Sequence, residues 1–396
     1  MPAVAAARAP EVTSRGSQTA VPCLFMRGGT SRGPFFDARL LPDDPGVRDA
    51  VLLAAMGSPD PRQIDGIGGA HPLTSKIGIV RPATEAAVDL EWTFAQVQPG
   101  GDVVDTSSNC GNMLAAVLPF AVETGMVVPT GDRTTARVLT RNTGMVAEIT
   151  VATPADRSGA RHVAYEGTAR IDGVPGTAAP VEIGFLDTAG SVAGSLLPTG
   201  RVRDTVEVPG VGPVDVTLID NGQPLVVVAA ERLGATGYET PAQIDADDDL
   251  RARVEALRLV CGAAMGLGDV TTRNYPKMTL VAPPRHGGTL STRSLIPRVC
   301  HQSIGVLAAV TAATACVLEG SVAHDVAAAV SGPEPTVSVE HPSGEFSVTL
   351  GRDPDDPQQV TRSALLRTAR LIMAGDLLVP RSVWDPTPTV QEKKSA

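Results

Sequence analysis

"SKIGIVRP" (Ser75–Pro82) and "PKMTLVAP" (Pro276–Pro283) share Lys-[Ile/Met]-x-[Ile/Leu]-Val-x-Pro in register, one copy in each half of a 396-residue chain. Each reads as a short strand stopped by proline. Each also leads to a cysteine read as opening an alanine-rich helix, "NCGNMLAAVLPFAVETG" after the first copy and "VCHQSIGVLAAVTAATACVLEG" after the second. The lysine-to-cysteine spacings differ, as loops of unequal length would make them. A repeat of this kind points to two similar domains. Both helices are too apolar, and too rich in Ala, Gly and Val, to lie on a surface, so each is expected at the buried centre of a domain wrapped by strands. Their N-termini would then face a shared cleft.

Working outward, short strands bounded by Gly or Pro recur at "VPCLFMRG", "WTFAQVQ" and "RVLTRNTGMVAEITVATP", the last turning at "NTG". More strands follow in "TGRVRDTVEVPGVGPVDVTLIDNGQPLVVVAAERLG". "VRDAVLLAAMG" (Val47–Gly57) reads as a short helix closed by a left-handed glycine. "TPAQIDADDDLRARVEALRLVCGAAMGLG" reads as one long helix with acidic residues toward its start, and "TRSALLRTARLIMAGDLLVP" as the last helix. The Gly/Ser-rich "LDTAGSVAGSLLPTG" puts the domain boundary near residue 197. The expected division is a disordered tail over 1–20, domains over 21–197 and 198–386, and a polar tail over 387–396.

Composition narrows the class. With 43% hydrophobic residues the chain can build sizeable cores, but aromatics are only 3%, so packing leans on Ala, Val and Leu. A formal charge of −10 argues against a nucleic-acid or anionic-membrane partner, and any anionic ligand needs a local positive pocket. No run of about 18 apolar residues is present, and the N-terminus lacks the apolar core of a signal peptide. The five cysteines are scattered without a CxxC pair, which suits free thiols in a reducing cytoplasm and argues against a zinc site.

Three stretches could carry chemistry. Around Cys110, the residues Ser107, Ser108, Asn109, Gly111 and Asn112 combine hydroxyl and amide donors with a glycine that lets a ligand approach the backbone. A thiol at a helix N-terminus is acidified there, and the free N–H groups bind carboxylates; the plainer reading is a space-filling cysteine beside an ordinary cap. "FMRGGTSRGPFF" (Phe25–Phe36) has the composition of an anion-binding nest, or of an ordinary hairpin turn. "DGIGGAHPLTSK" (Asp65–Lys76) ends in a lysine at a strand start, either solvated or turned inward. An amine with a reference pKa of about 10.4 is a poor base unless desolvated or set beside another positive group. A lysine and a cysteine on opposite sides of a substrate carbon would move protons without metal, flavin or nucleotide. No HExxH, GxSxG, P-loop or dinucleotide fingerprint competes with that reading.

At "MRGGTSRGPFF" (Met26–Phe36), "GIGGAHPLTSKIGIV" (Gly66–Val80), "SSNCGNM" (Ser107–Met113), "NYPKMTLVAPP" (Asn274–Pro284) and "STRSLIPRVCHQSIGVLAAVTAATACVLEG" (Ser291–Gly320), the chain resembles the 4-oxalomesaconate tautomerase and methylaconitate isomerase family. The resemblance spans about residues 21 to 385. It implies an α+β protein of diaminopimelate-epimerase-like fold: two pseudo-symmetric domains, each a curved, mainly antiparallel sheet around a central helix, with the active site in the cleft between them. It further implies cofactor-independent proton shifts on small unsaturated di- and tricarboxylates, with no metal.

Carried over by motif, Lys76 and Cys110 become the acid/base pair. Arg27, Gly28, Gly29, Thr30 and Ser31 become a carboxylate loop, joined by Ser107, Asn109, Gly111 and Asn112 around the cysteine. Lys277, Arg293, His301 and Ser303 become substrate contacts from the second half, and Cys300 stands near the place of a second thiol. The expected reaction is a keto-enol tautomerisation or 1,3-allylic isomerisation of an oxo-tricarboxylate such as 4-oxalomesaconate. Aconitate or 2-methylaconitate isomerisation is the alternative, and a carboxylate-binding protein on the same fold the non-enzymatic one. Whether Cys110 moves the proton or holds the substrate, and whether the chain is a homodimer, are left open.

Overall fold

The computed structural model describes residues 11–106, 109–185, 188–332, 334–353, 355–356 and 360–386. The chain forms two compact units. Unit 1 takes the chain through Arg170, then Gly176–Val181, then everything from Arg367; unit 2 takes Ile171–Pro175 and Glu182–Leu366. The division thus differs from a single boundary near residue 197, because the last strand returns to unit 1.

In unit 1, β1 (Thr13–Arg15) pairs antiparallel with β2 (Gln18–Gly28), so regular structure begins inside the stretch expected to be a tail to residue 20. Thr19, Ala20 and Val21 are fully buried, which explains why the chain is ordered there. β3 (Ser31–Asp37) closes a hairpin on β2. α1 (Pro45–Met56) starts on the Asp44 carboxylate, which accepts from Val47 N, and stops at Gly57 with φ 78°, as the sequence predicts. β4 (Lys76–Pro82) lies parallel to β3, and β5 (Leu90–Val97) runs back antiparallel to it, with β6 (Val104–Asp105) on the end of β5.

The expected helix after Cys110 is two short ones, α2 (Gly111–Leu114) and α3 (Val117–Glu123). Pro119 has no N–H to donate to the Ala115 carbonyl, so a continuous helix is interrupted at Ala115–Ala116. Val117 through Ala121 are all buried. β7 (Arg133–Thr140) is parallel to β5, and β8 (Val146–Ala152) antiparallel to β7. β9 (Pro180–Phe185) carries the chain from unit 1 into unit 2.

Unit 2 repeats this order. β10 (Asp204–Val208), β11 (Gly212–Asp220) and β12 (Pro224–Ala229) pair antiparallel in turn. The expected long helix is split into α4 (Pro241–Ala246) and α5 (Asp248–Ala264), because Asp247 leaves helical geometry and caps Leu250 N of the second. β13 (Lys277–Ala282) is parallel to β12 and β14 (Leu290–Leu295) antiparallel to β13. α6 (Val306–Val317) and α7 (Val322–Val326) then lead to β15 (Thr336–His341), parallel to β14, and β16 (Gly344–Arg352) returns antiparallel. The sequence anti, parallel, anti, parallel, anti from β2 to β8 is therefore reproduced from β11 to β16, with helices at each parallel crossover.

Every residue from Ala308 to Val317 is buried, so α6 is the central helix the sequence predicts. Its threonines fit because Thr311 and Thr314 hydroxyls donate to the Leu307 and Val310 carbonyls. Fully burying a valine such as Val310 contributes about 1.5–3 kcal/mol. The segment expected as the last helix is a long strand, β17 (Val360–Pro380), pairing antiparallel with β16 at its start and with β2 from Ala369 onward. Ser363, Leu365, Arg367 and Ala369 are buried at every second position, the period of a strand. Leu, Arg and Ala favour helix locally, and the two pairings override them. Among the described residues no helix is long and apolar enough to cross a membrane.

Candidate active site

Unit 1 holds the two expected acid/base residues. Lys76 opens β4 and is only 9% exposed, so it is turned inward rather than solvated. Its Nζ donates to Gln96 Oε1 at 2.5 Å and lies 4.9 Å from the centre of the Phe94 ring, whose face attracts cations. Gln96 is itself fixed, with Nε2 donating to the carbonyls of Ser75 (2.9 Å) and Pro72 (3.2 Å). Gly33 lies against the Lys76 backbone so closely that a Cβ there would fall on the Lys76 carbonyl oxygen. The β3 strand can approach the lysine only because that residue is glycine.

Cys110 is the N-cap of α2, in extended backbone geometry, half-buried and with no cap hydrogen bond from its side chain. Next to it, Asn109 Nδ2 donates to Thr143 Oγ1 (2.7 Å) and Thr140 Oγ1 (3.0 Å), tying the turn to β7. On the other side Asn112 Nδ2 donates to Thr30 Oγ1 at 3.0 Å, which docks the Gly-rich β2–β3 turn onto the first turn of α2. Gly29 has φ 51°, and a Cβ there would strike Asn112 Oδ1. The buried atoms Ser31 Oγ and Asn109 Oδ1 have no hydrogen-bond partner among the described residues. Such orphans call for an explanation, and a polar ligand supplies one. Ser107, expected as a contact, lies outside the described residues.

Arg27, expected as part of the carboxylate loop, is hydrogen-bonded within unit 1. Its Nη1 donates to Gly29 O (2.8 Å), Thr368 O (3.0 Å) and Thr368 Oγ1 (3.0 Å), so it braces the turn against β17. Burial, and then the facing charge of Arg370, lower its pKa.

In unit 2, Lys277 opens β13 as Lys76 opens β4, and burial lowers its pKa. His301 is held by its own N–H on Ser294 O (2.8 Å), and its Nδ1 accepts from Ser303 N (2.8 Å). Burial, followed by the charge of nearby Lys277, depresses the His301 pKa. Ser303 Oγ lies 3.2 Å from His341 Nε2, which groups Lys277, His301, Ser303 and His341. Arg293 is committed to the Glu239 and Thr292 carbonyls. Cys300 does not open a helix: it sits five residues before the Gly305 N-cap of α6, in an isolated bridge to Leu295. It is buried, its N–H donates to Asp245 Oδ1 at 2.8 Å, and burial followed by Asp245 pushes its thiol up to about 11.

These motifs have known counterparts. The sequence pattern of the PrpF protein family matches residues 18–380. The chain belongs to the PrpF family. It is 50% identical over 358 residues to (4E)-oxalomesaconate Delta-isomerase of Novosphingobium sp. (strain KA1), covering 90% of this chain and 97% of that one. It is also 50% identical over 367 residues to 4-oxalomesaconate tautomerase of Pseudomonas putida, covering 93% and 98%. The crystal structure of methylitaconate-delta-isomerase superposes with a TM-score of 0.82 at 34% identity, covering 94% of this chain and 99% of the other. This PrpF-family chain is therefore an isomerase, of the α+β fold that it shares with methylitaconate-delta-isomerase.

Three polar residues of this PrpF chain escaped the sequence reading. Gln96 could have been found from register, since it faces Lys76 across β4 and β5. His341 carried no signal beyond being a lone histidine at a strand end. Arg367 was hidden by reading its segment as a helix, although it is 7% exposed on β17.

Proposed function

We propose that this isomerase catalyses a proton shift on an unsaturated oxo-tricarboxylate of the 4-oxalomesaconate type, with Lys76 and Cys110 as acid and base and no cofactor. Two relatives at 50% identity over nine-tenths of the chain, both named for oxalomesaconate, carry the choice of substrate. A base removes a proton from a carbon activated by the adjacent carbonyl and alkene. The electron pair delocalises into a dienolate, and a proton returns to another atom of the conjugated system, so the product is an isomer. Donors around Cys110 stabilise the dienolate, at about 3–4 kcal/mol for a key donor. Within unit 2, Lys277, His301 and Ser303 form the group suited to a carboxylate, whereas Arg293 is spent on backbone carbonyls and Cys300 is buried. The five free cysteines support a cytoplasmic setting.

Likeness to methylitaconate-delta-isomerase favours a second reading, a 1,3-allylic shift on a methylated di- or tricarboxylate. A panel of 4-oxalomesaconate, cis- and trans-aconitate, 2-methylaconitate and methylitaconate, followed by ultraviolet absorbance and by NMR in deuterium oxide, decides between them. Turnover of oxalomesaconate with solvent deuterium entering carbon is expected. Turnover of only the aconitate or itaconate members would favour the second reading, and no deuterium incorporation into any member would overturn both.

A further inference from the structure

We infer that His341 is a positioning residue for the carboxylate group of unit 2: its Nε2–H donates to Ser303 Oγ, which leaves the Ser303 hydroxyl hydrogen for a substrate carboxylate. The inference deepens the proposed function and rests on its carboxylate substrate.

Hydrogen-bond polarity carries it. His341 ends β15, which packs on α6, and Ser303 lies two residues before the Gly305 N-cap of that helix. A backbone N–H can only donate, and Ser343 N lies 3.3 Å from His341 Nδ1, so Nδ1 is the acceptor. An imidazole that accepts at Nδ1 carries its hydrogen on Nε2. That Nε2 lies 3.2 Å from Ser303 Oγ and therefore donates to it. A hydroxyl that accepts from a neighbour keeps its one hydrogen to give elsewhere. Among the described residues no acceptor takes the Ser303 hydrogen, and Ser303 is half-buried, so a ligand can reach it.

His301 has the same polarity. Ser303 N donates to His301 Nδ1 at 2.8 Å, which places the His301 hydrogen on Nε2. Burial, followed by the charge of Lys277, depresses the His301 pKa and keeps the ring in that neutral form. Lys277 adds an amine that, when protonated, can only donate. The three side chains thus offer an ammonium, a ring N–H and a hydroxyl hydrogen. An ionised carboxylate, which only accepts, is the partner such a set selects.

Tautomer and binding test the inference together. Long-range proton–nitrogen NMR of the unliganded wild type at pH 8 should show His341 protonated at Nε2 alone. Hydrogen on Nδ1 overturns the inference, whatever the protein binds. Titration calorimetry then uses tricarballylate, an unreactive tricarboxylate, as probe. Ser303→Ala should weaken its binding about tenfold or more, and His341→Phe about threefold to tenfold. His341→Gln, whose amide can again donate to Ser303 Oγ, should stay within about twofold of wild type. In a Ser303→Ala background His341→Phe should cost nothing further, because both changes remove the same donor. Additive losses would show that His341 only supports the fold, and overturn the inference. Unchanged binding in His341→Phe beside weakened binding in Ser303→Ala does the same. If the His341 variants do not fold, the wild-type tautomer decides. Absence of tricarballylate binding by the wild type, or unchanged binding in Ser303→Ala, would instead overturn the carboxylate reading of this group, and the inference with it.

Discussion

Lys76 Nζ donates to Gln96 Oε1 at 2.5 Å, across the β4–β5 pair that sets the two residues directly opposite each other. The amine is thus aimed by a neighbour whose own amide is locked on two carbonyls. Gln96→Leu removes the aim but keeps the volume. We expect kcat to fall by about tenfold to a hundredfold with KM little changed, the pattern of a misplaced catalytic group. Steady-state kinetics on whichever tricarboxylate is turned over checks this, and an unchanged kcat would show that the contact is incidental.

Lys76→Ala and Cys110→Ser separate the two proposed proton carriers. Loss of a general acid or base costs about 10²–10⁴-fold in rate. Both variants should fall in that range for net isomerisation. In deuterium oxide, the variant that has lost only the returning proton should still exchange the substrate's acidic hydrogen. Near-native turnover by Lys76→Ala would remove Lys76 from the mechanism.

Gly33→Ala tests the packing that places the lysine. The new methyl falls on the Lys76 carbonyl oxygen, a backbone atom that cannot swing aside. A core clash of this kind costs about 1–3 kcal/mol. A lower denaturation midpoint together with lower kcat is expected from urea melts and kinetics. A native-like midpoint would mean that β3 and β4 separate more easily than their pairing suggests.

These residues also show where the sequence was legible. Strands β4 and β13 were readable because Lys-x-x-x-Val-x-Pro places apolar residues between a polar start and a proline stop, and α1 because Gly57 marks its end. The buried helices were visible as apolar runs, but the break before α3 depends on Pro119 withholding one N–H, and Cys300 took its place from a repeat that matched residues rather than elements. Arg367 stayed hidden because "SALLRTARLIMA" satisfies helix propensity, whereas its strand state is imposed by partners far away in sequence. Local preference cannot report such pairing.

His301 supplies a pH signature for unit 2. Burial and the Lys277 charge place its folded-state pKa below the usual 6.5, so the folded protein binds the imidazole proton more weakly than the unfolded chain. The stabilisation from the neutral ring is therefore complete above about pH 6.5 and is lost as pH falls through the lower folded-state value. The stability difference between wild type and His301→Gln should shrink between pH 8 and pH 5 in urea melts. A difference that grows toward acid would mean that the folded protein prefers the charged ring.

Arg27→Gln distinguishes a brace from a ligand. The side chain ties Gly29 and Thr368 together, and Gly29 N also donates to Thr368 O at 2.9 Å, so the turn hangs on β17 by both residues. Removing the guanidinium leaves part-buried carbonyls without that donor, at about 1–3 kcal/mol. Arg27→Gln should therefore lower the denaturation midpoint clearly in urea melts, while KM for the tricarboxylate rises by no more than about twofold. A KM raised about tenfold or more with unchanged stability would make Arg27 a carboxylate ligand instead.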